Sequence, residues 1–465
     1  MRTFIIVFML DTISKVIETC SNFLWGWPMI IMLLGTHLFL TIRLKFPQRK
    51  IFTAIRLSVT PDKGASGDVS QFGALATALA ATIGTGNIIG VATAITLGGP
   101  GAVLWCWLTG VFGIATKYAE GLVAVKYRIK TANGQMLGGP MYALERGLGL
   151  KWLAVLFCVF TALASFGIGN LVQSNAISLL CHETYNVPVE LSGAVIAIGV
   201  ALVVIFGVKG IARVCSAFVP FMALLYVIGC VCILMINHAF VADAIHLIVV
   251  SAFNPEAAGG GFVGGSIIMT ARYGIARGLF SNESGMGSAP IVAAAARTRN
   301  PVRQALVSST GTFWDTVVIC ALTGLVLVSS ILAYPDINYS DGPALTKVAF
   351  DKIPYIGAPL LTFGIITFAF STILGWCYYG EKSIEYLGGK KLTLVYRGIF
   401  IVATFFGAVI KLAVVWNLAD LTNALMAIPN LVSLLMLSGV IAAETKKYLW
   451  NNRLDADADA EDNPQ

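Results

Sequence analysis

The sequence predicts an all-α polytopic membrane protein of eleven transmembrane helices, arranged as two inverted sets of five preceded by one extra helix. Three observations carry this. Of 465 residues, 57% are hydrophobic and only 12% charged, with a mean hydropathy of +0.81, against roughly 25% charged residues in soluble domains. Too few polar side chains remain to cover a water-facing surface, which excludes a soluble fold, and the lipid bilayer becomes the expected solvent. Basic residues gather in alternate loops between apolar runs. Two of those runs are interrupted at mid-length by glycines and small polar residues.

Residues 1–22 hold the apolar stretch Met1–Leu10, which Asp11 cuts short, and no small-x-small cleavage site comes after it; they read as an N-terminal surface segment rather than a cleaved leader. Apolar runs then fall at 23–42, 71–97, 101–125, 152–178, 189–208, 214–236, 263–296, 305–332, 358–379, 398–415 and 419–441. The run 263–296 is too long for one straight crossing at about 1.5 Å per residue, so a break is expected within it. The first five-helix repeat is assigned to 71–236 and the second to 263–441, leaving 23–42 outside both and 442–465 as an acidic cytoplasmic tail, of which Asp455 to Gln465 is expected to be disordered.

Charge orients the chain. Arg43, Lys45, Arg49, Lys50, Arg56 and Lys63 come after the first run, which places that loop inside the cell and the N-terminus outside. Alternation then assigns to the inside the groups Lys126, Arg128, Lys130, Arg146 and Lys151; Lys209 and Arg213; Arg297, Arg299 and Arg303; Lys382, Lys390, Lys391 and Arg397; and Lys446, Lys447 and Arg453. The outside segments hold only Arg2, Lys15, Lys347 and Lys352. The net charge of +7 is therefore a topology signal of a multi-pass cell (inner) membrane protein with a cytoplasmic C-terminus, and no nucleic-acid partner is needed to explain it.

The two interruptions are Ala80-Ala-Thr82-Ile-Gly84-Thr85-Gly86-Asn87 and Gly278-Leu-Phe280-Ser281-Asn282-Glu283-Ser284-Gly285-Met-Gly287. Glycine lets the backbone leave helical angles, and Ser, Thr and Asn can satisfy the freed amides and carbonyls. Such backbone is tolerated at membrane depth only when buried in protein or lining a cavity. Corresponding breaks in two oppositely oriented sets of five point to a secondary transporter with its site at the midplane. A half-helix N-terminus there favours a carboxylate, and the carbonyls of the preceding half-helix suit a small cation, so a zwitterionic amino acid with Na⁺ matches the two ends.

Other chemistries find little support. Cysteines at 20, 106, 158, 181, 215, 230, 232, 320 and 377 form no C-x-x-C pair, and the histidines at 37, 182, 238 and 246 are scattered, so neither a metal site nor a disulfide framework is expected. Gly84-Thr85-Gly86 is preceded by no strand and lacks dinucleotide-motif spacing, and no ATP-binding G-x-x-x-x-G-K-[ST] occurs. An enzyme would need a catalytic constellation and a channel a charged ring or filter repeat; neither is present.

At the two interruptions the chain resembles the sodium:alanine (alanine or glycine:cation) symporter family. The motifs are Gly73-Ala-Leu-Ala-Thr77 leading into Thr82-Ile-Gly-Thr-Gly-Asn87, Gly98-Gly-Pro-Gly-Ala-Val-Leu-Trp105-Cys-Trp107, Gly138-Gly-Pro-Met-Tyr142 and Gly278-Leu-Phe-Ser-Asn-Glu-Ser-Gly-Met-Gly-Ser-Ala-Pro290, within a likeness running from about 20 to 445. Cys106 stands where the family usually has Met, and Ser284 where it has Ala. The resemblance implies a leucine-transporter-type fold and a symporter that imports a small neutral amino acid, alanine or glycine, by alternating access, with Na⁺ as coupling ion and no other cofactor. It implies sodium ligands at Ala80, Ile83, Phe368, Ser371 and Thr372, an oxygen set suited to a hard cation. It also implies a substrate site at Thr82, Ile83, Gly84, Thr85, Gly86 and Asn87, with Phe166, Gly167, Asn170 and Gln173 from the span 152–178, Phe280, Ser281 and Asn282 at the second break, and Thr372 and Trp376. Proton coupling on the same fold and a glutamine-preferring sodium symporter are the alternatives. Among intramembrane charges, Lys117 and Glu120 are expected to pair, and some of Arg272, Arg277, Glu283 and Asp315 to form an ion-pair gate, with Glu283 or Asp315 accepting an Arg or the cytoplasmic-side Lys117. Nothing in the sequence specifies an oligomeric state.

Overall fold

The computed structural model describes residues 15–62, 64–254, 266–335, 342–410 and 413–458. Among them, eight single helices are long and apolar enough to cross a membrane: α1 (Lys15–Arg43), α5 (Ala102–Lys126), α6 (Lys151–Tyr185), α8 (Gly207–Ile236), α12 (Pro301–Ala333), α14 (Gly357–Gly388), α15 (Lys390–Val409) and the Leu418–Met436 part of α16 (Ala413–Met436). α3 (Gln71–Thr82) and the helical run α4 (Gly86–Gly98) pass the same test as one pair bent by 54°. The remaining pieces are shorter: α2 (Ile51–Val59), α7 (Val189–Val204), α9 (Val241–Ser251), α10 (Ile267–Asn282), α11 (Ala289–Ala293), α13 (Gly342–Phe350) and α17 (Ser438–Glu444). At 16 residues, α7 falls below full-span length.

Two boundaries differ from the sequence reading. Lys15, the first described residue, is already helical, so residues 15–22 continue into the first crossing helix instead of forming a separate surface segment; 1–14 lie outside the described residues. The acidic tail, expected to be disordered, is docked as far as it is described. Asn300 Nδ2 donates to the carbonyls of Leu454 and Ala456, each at 2.9 Å, and Arg303 pairs with Asp455 at 2.7 Å.

Small residues set the packing. α10 lies against α5 so closely that a Cβ on Gly278 would stand 2.8 Å from the Cys106 carbonyl oxygen, and one on Gly274 would meet the backbone of Ala102. This close approach is how membrane helices gain packing where lipid offers no hydrophobic drive between them. α5 also runs along α12, α6 packs between α14 and α16, α8 joins α3 to α14, and α7 covers α15.

The loops that charge assigned to one side do meet at one end of the bundle. Lys126 pairs with Glu444 at 2.9 Å, Arg299 with Asp62 at 2.7 Å, and Lys209 and Arg397 line one cavity with Asp68. At this basic end the chain entering α3 and the chain leaving α11 are laced together. Val69 and Ala296 form a parallel bridge, and Arg297 N–H donates to Val69 O at 2.8 Å. Arg128, 6% exposed, donates to Ala294 O (3.1 Å), Ala296 O (2.8 Å), Ser66 O (3.3 Å) and Thr298 O (3.4 Å). Burial lowers its pKa to about 10, well above neutral, so the guanidinium keeps its charge.

Candidate functional site

The first break is built by local chemistry. The Ser70 hydroxyl caps α3, accepting from Gly73 N–H at 3.0 Å, and helical bonding stops at Ile83, whose backbone turns extended (φ −74°, ψ 99°). That turn aims carbonyls out of the helical ladder. Gly84 N–H, left without a helical acceptor, is taken by Asn87 Oδ1 at 2.9 Å. Thr82 Oγ1 bonds back to Ala78 O at 3.2 Å, and Thr85 has helical angles (φ −60°, ψ −24°) at the entry to α4.

The second break spans 283–288. Glu283 is left-handed (φ 51°), and Gly285 and Gly287 take φ values of 91° and 88° that an L side chain rarely adopts. Its freed amides are held from outside the segment: one carboxylate oxygen of Glu120, on α5, accepts from Gly285 N–H and Gly287 N–H at 3.0 Å each, and from Asn430 Nδ2 at 2.7 Å. Asn282 Oδ1 accepts from Ser284 N–H at 2.9 Å, and its amide reaches Thr109 Oγ1 at 3.4 Å.

Four oxygens converge beside the first break. Ser371 Oγ and Thr372 Oγ1 lie 3.3 and 3.1 Å from Ala80 O, and each lies 2.9 Å from Phe368 O. All four residues are buried, and Thr372 Oγ1 sits 3.0 Å from where a Gly84 Cβ would stand. Ile83 closes the same turn. Met222 Sδ lies 3.7 Å from Ser371 Oγ at the edge of the cluster; the four converging carbonyl and hydroxyl oxygens are of the kind that suits a hard monovalent or divalent cation.

A chain of hydrogen bonds links the two breaks. Asn87 Nδ2 donates to Asp315 Oδ1 at 2.6 Å, while Asp315 Oδ2 accepts from Thr316 at 2.7 Å and from Ser281 at 3.1 Å. Asp315 is fully buried within a π-helical stretch, Phe313–Cys320. Phe280 and Ser281 face Gly86, with the Phe280 ring 3.5 Å from a Cβ placed there.

The sequence-predicted residues divide. Residues 82–87, Phe280, Ser281 and Thr372 gather at the breaks. Trp376 packs against Gly169, and Gln173 lies one turn beyond Gly169 on the same helix face, its amide donating to Ile168 O at 3.1 Å and its Oε1 buried without a partner. Phe166 and Asn170 are not brought to the breaks. Phe166 meets Tyr396 edge-on and Phe400 at a tilt, with centroids 5.3 and 5.6 Å away, and Asn170 Nδ2 donates to Phe400 O at 2.8 Å, so both face α15; Gly167 packs on Ala419.

The expected gate is also rearranged. Lys117 approaches Glu120 only to 3.9 Å and donates to the Glu283 carbonyl oxygen at 3.1 Å, while the Glu283 carboxylate accepts from Ser288 at 2.6 Å. Asp315 serves the link between breaks, and Arg272 lies over the Tyr273 ring at 5.8 Å. Sequence reasoning missed two residues of this arrangement, Asn430, which shares the Glu120 oxygen, and Asp420, which lines a cavity with Arg277; a polar residue inside an apolar run was the available signal.

Broken helices placed side by side in a bundle of apolar helices define a secondary transporter of the leucine-transporter type. Among solved structures, the chain superposes on MhsT in complex with L-phenylalanine with a TM-score of 0.60 at 15% identity, covering 84% of this chain and 96% of that one. It matches a manganese transporter of Eremococcus coleocola with a TM-score of 0.52 at 13% identity, covering 80% and 78%. The family model of the sodium:alanine symporter family matches residues 10–462, and the chain belongs to that family. It is 48% identical over 447 residues to the sodium/alanine symporter AgcS of Methanococcus maripaludis, covering 94% of this chain and 98% of that protein. It is 50% identical over 449 residues to an uncharacterized transporter of Haemophilus influenzae (96% and 98% covered), and 37% identical over 458 residues to the probable sodium/glutamine symporter GlnT of Bacillus subtilis (97% and 93% covered). The protein is a membrane transporter of small amino acids.

Proposed function

We propose that the chain imports alanine or glycine together with Na⁺, with its basic end in the cytoplasm, its N-terminus outside, and eleven crossings if α7 and the broken α10–α11 segment each count as one. The observation that carries this reading is the oxygen cluster of Ala80, Phe368, Ser371 and Thr372 beside the first break, to which the Ile83 carbonyl would be added. Na⁺ there would join α3 to α14. The substrate carboxylate would meet the amides of Gly84, Thr85 and Gly86 at the start of α4, its ammonium the Asp315 carboxylate or the unpartnered Gln173 Oε1. The Phe280 ring packed against Gly86 would restrict the side chain bound there, which favours alanine and glycine over glutamine. Ion and amino acid sharing one break raise each other's affinity by linkage. The relative named a sodium/alanine symporter, nearly half identical across almost its whole length, supports the same reading.

The test is uptake of radiolabelled alanine, glycine and glutamine into proteoliposomes under an imposed Na⁺ gradient, a proton gradient, or neither. Alanine or glycine accumulation that needs Na⁺ is the expected result. Accumulation driven by protons alone would reject sodium coupling, and glutamine outcompeting alanine would reject the substrate assignment.

A further inference from the structure

The first crossing helix lies outside the ten-helix repeat, so the inverted-repeat architecture gives it no task. Its own structure gives it one. α1 is interrupted at Trp25-Gly26, where Gly26 leaves helical angles (φ −78°, ψ −145°), and Pro28 restarts the helix. Trp25 is left at the kink, pointing into the bundle. Its indole N–H donates to the carbonyl oxygen of Asp420, on α16, at 2.8 Å. Its ring meets Phe280 edge-on, centroids 6.1 Å apart at 63°. Phe280 in turn bears on Gly86 at the first break. A continuous line of contact therefore runs from the extra helix through Phe280 to the break. Trp25, Phe280, Arg272, Arg277 and Asp420 also line a cavity of about 150 Å³, lying on the side of Phe280 away from Gly86 and from the basic end, and Asp420 Oδ1 is buried there without a partner.

We propose that Trp25 is a positioning residue for closure over the substrate: its bond to the α16 backbone fixes the indole, and the indole holds Phe280 down on the first break. The extra helix then takes part in transport by setting how readily the side opposite the basic end opens. Lifting Phe280 from Gly86 must displace the indole, and displacing the indole must break its bond to Asp420 O. This inference rests on the transport reading above for its consequence on uptake, but its geometric core is independent of the substrate.

The experiment reports on both. In a Cys20→Ser background, which removes the exposed thiol of the same helix, Ala276→Cys places a thiol in the cavity wall, and its rate of reaction with a membrane-impermeant maleimide is measured in proteoliposomes. Trp25→Ala is expected to raise that rate about five- to tenfold, the factor expected for losing one anchoring hydrogen bond. Trp25→Phe, which restores the ring without the donor, should fall between. In uptake, Trp25→Ala should raise the half-saturating alanine concentration by a similar factor, with the maximal rate per folded transporter changed less than twofold; a merely structural role would lower the maximal rate alone. Unchanged labelling in a Trp25→Ala protein of normal melting temperature overturns the proposal, and so does a fall in maximal rate without a shift in half-saturation. If the unaltered protein takes up no alanine under a Na⁺ gradient, the transport reading fails, and the labelling comparison, which needs no substrate, still decides the role of Trp25.

Discussion

At the scale of single residues, the oxygens of Ala80, Phe368, Ser371 and Thr372 divide into two that the backbone fixes and two that side chains supply. The side-chain pair can be removed without disturbing the fold. Thr372→Ala deletes one hydroxyl and leaves a methyl-sized gap; the half-saturating Na⁺ concentration is expected to rise about tenfold, the scale of one lost charge-assisted ligand, with the maximal rate of alanine uptake nearly retained at saturating Na⁺. An unaltered Na⁺ dependence would remove Thr372 from the ion site. Asp315 invites a different test, because it accepts hydrogen bonds from Asn87 on one side and from Ser281 and Thr316 on the other. Asp315→Asn keeps the shape and withdraws the charge. If the carboxylate pairs with a cation during transport, alanine-dependent uptake falls at least about tenfold, while the melting temperature in detergent stays close to that of the parent; full activity in the amide variant would restrict Asp315 to scaffolding.

At the scale of elements, the two breaks were legible because glycine, serine, threonine and asparagine are out of place in an apolar run, and the unwound positions at 83–85 and 283–287 fall inside the stretches that stood out, the second break running one residue further to Ser288. The proposed cation ligands at 80–83 and 368–372 come from family resemblance rather than from periodicity. Facing was not legible. α6 is packed by α14, α15 and α16, so its apolar residues mark no single face. Its π-helical turn at Gly167–Leu171 adds a residue to the helix, rotating the residues after it by about 100°, so the facing of the residues in and beyond the turn does not follow from regular helical spacing, while Phe166, just ahead of it, is turned to α15 by its ring contacts with Tyr396 and Phe400. Asp315 sits in a π-helical stretch for the same reason of register, and its partner could not be read from spacing. The α5–α10 contact is the element-scale feature most open to a direct test. Gly278→Val would place its Cβ against the Thr109 hydroxyl and the Cys106 backbone, and the backbone cannot give way. We expect a loss of about 1–3 kcal/mol from overpacking, seen as a lower melting temperature in detergent, and weaker alanine binding because Phe280 and Ser281 lie in the next turn.

At the scale of the whole molecule, the basic end is where the two broken helices are fastened to one another, and transport by the proposed alternating access would require that fastening to come apart. The bridge between Val69 and Ala296 is short, so it cannot account for closure by itself. Arg128 adds a planar set of donors from a third segment, between α5 and α6, gripping carbonyls on both chains of the bridge, while Asp62, Arg299, Arg303 and Asp455 bring the C-terminal tail over it. Arg128 is charged and buried, yet its hydrogen-bond partners are backbone carbonyls, an arrangement that loses much when it opens and so favours the closed basic end. Arg128→Ala should therefore shift the population toward states open at this end. Cys215, fully buried on α8 beside Thr77 of α3, is a native reporter of that opening. Its alkylation, tracked by peptide-resolved mass spectrometry, is expected to speed up about tenfold or more in Arg128→Ala, and Na⁺-driven accumulation of alanine to fall as the transporter spends less time open to the other side. Arg128→Lys should restore little, since a single ammonium cannot span four carbonyls held in one plane by a guanidinium. Alkylation at the parent rate in a folded Arg128→Ala protein would mean that the backbone bridge and the tail close this end without it.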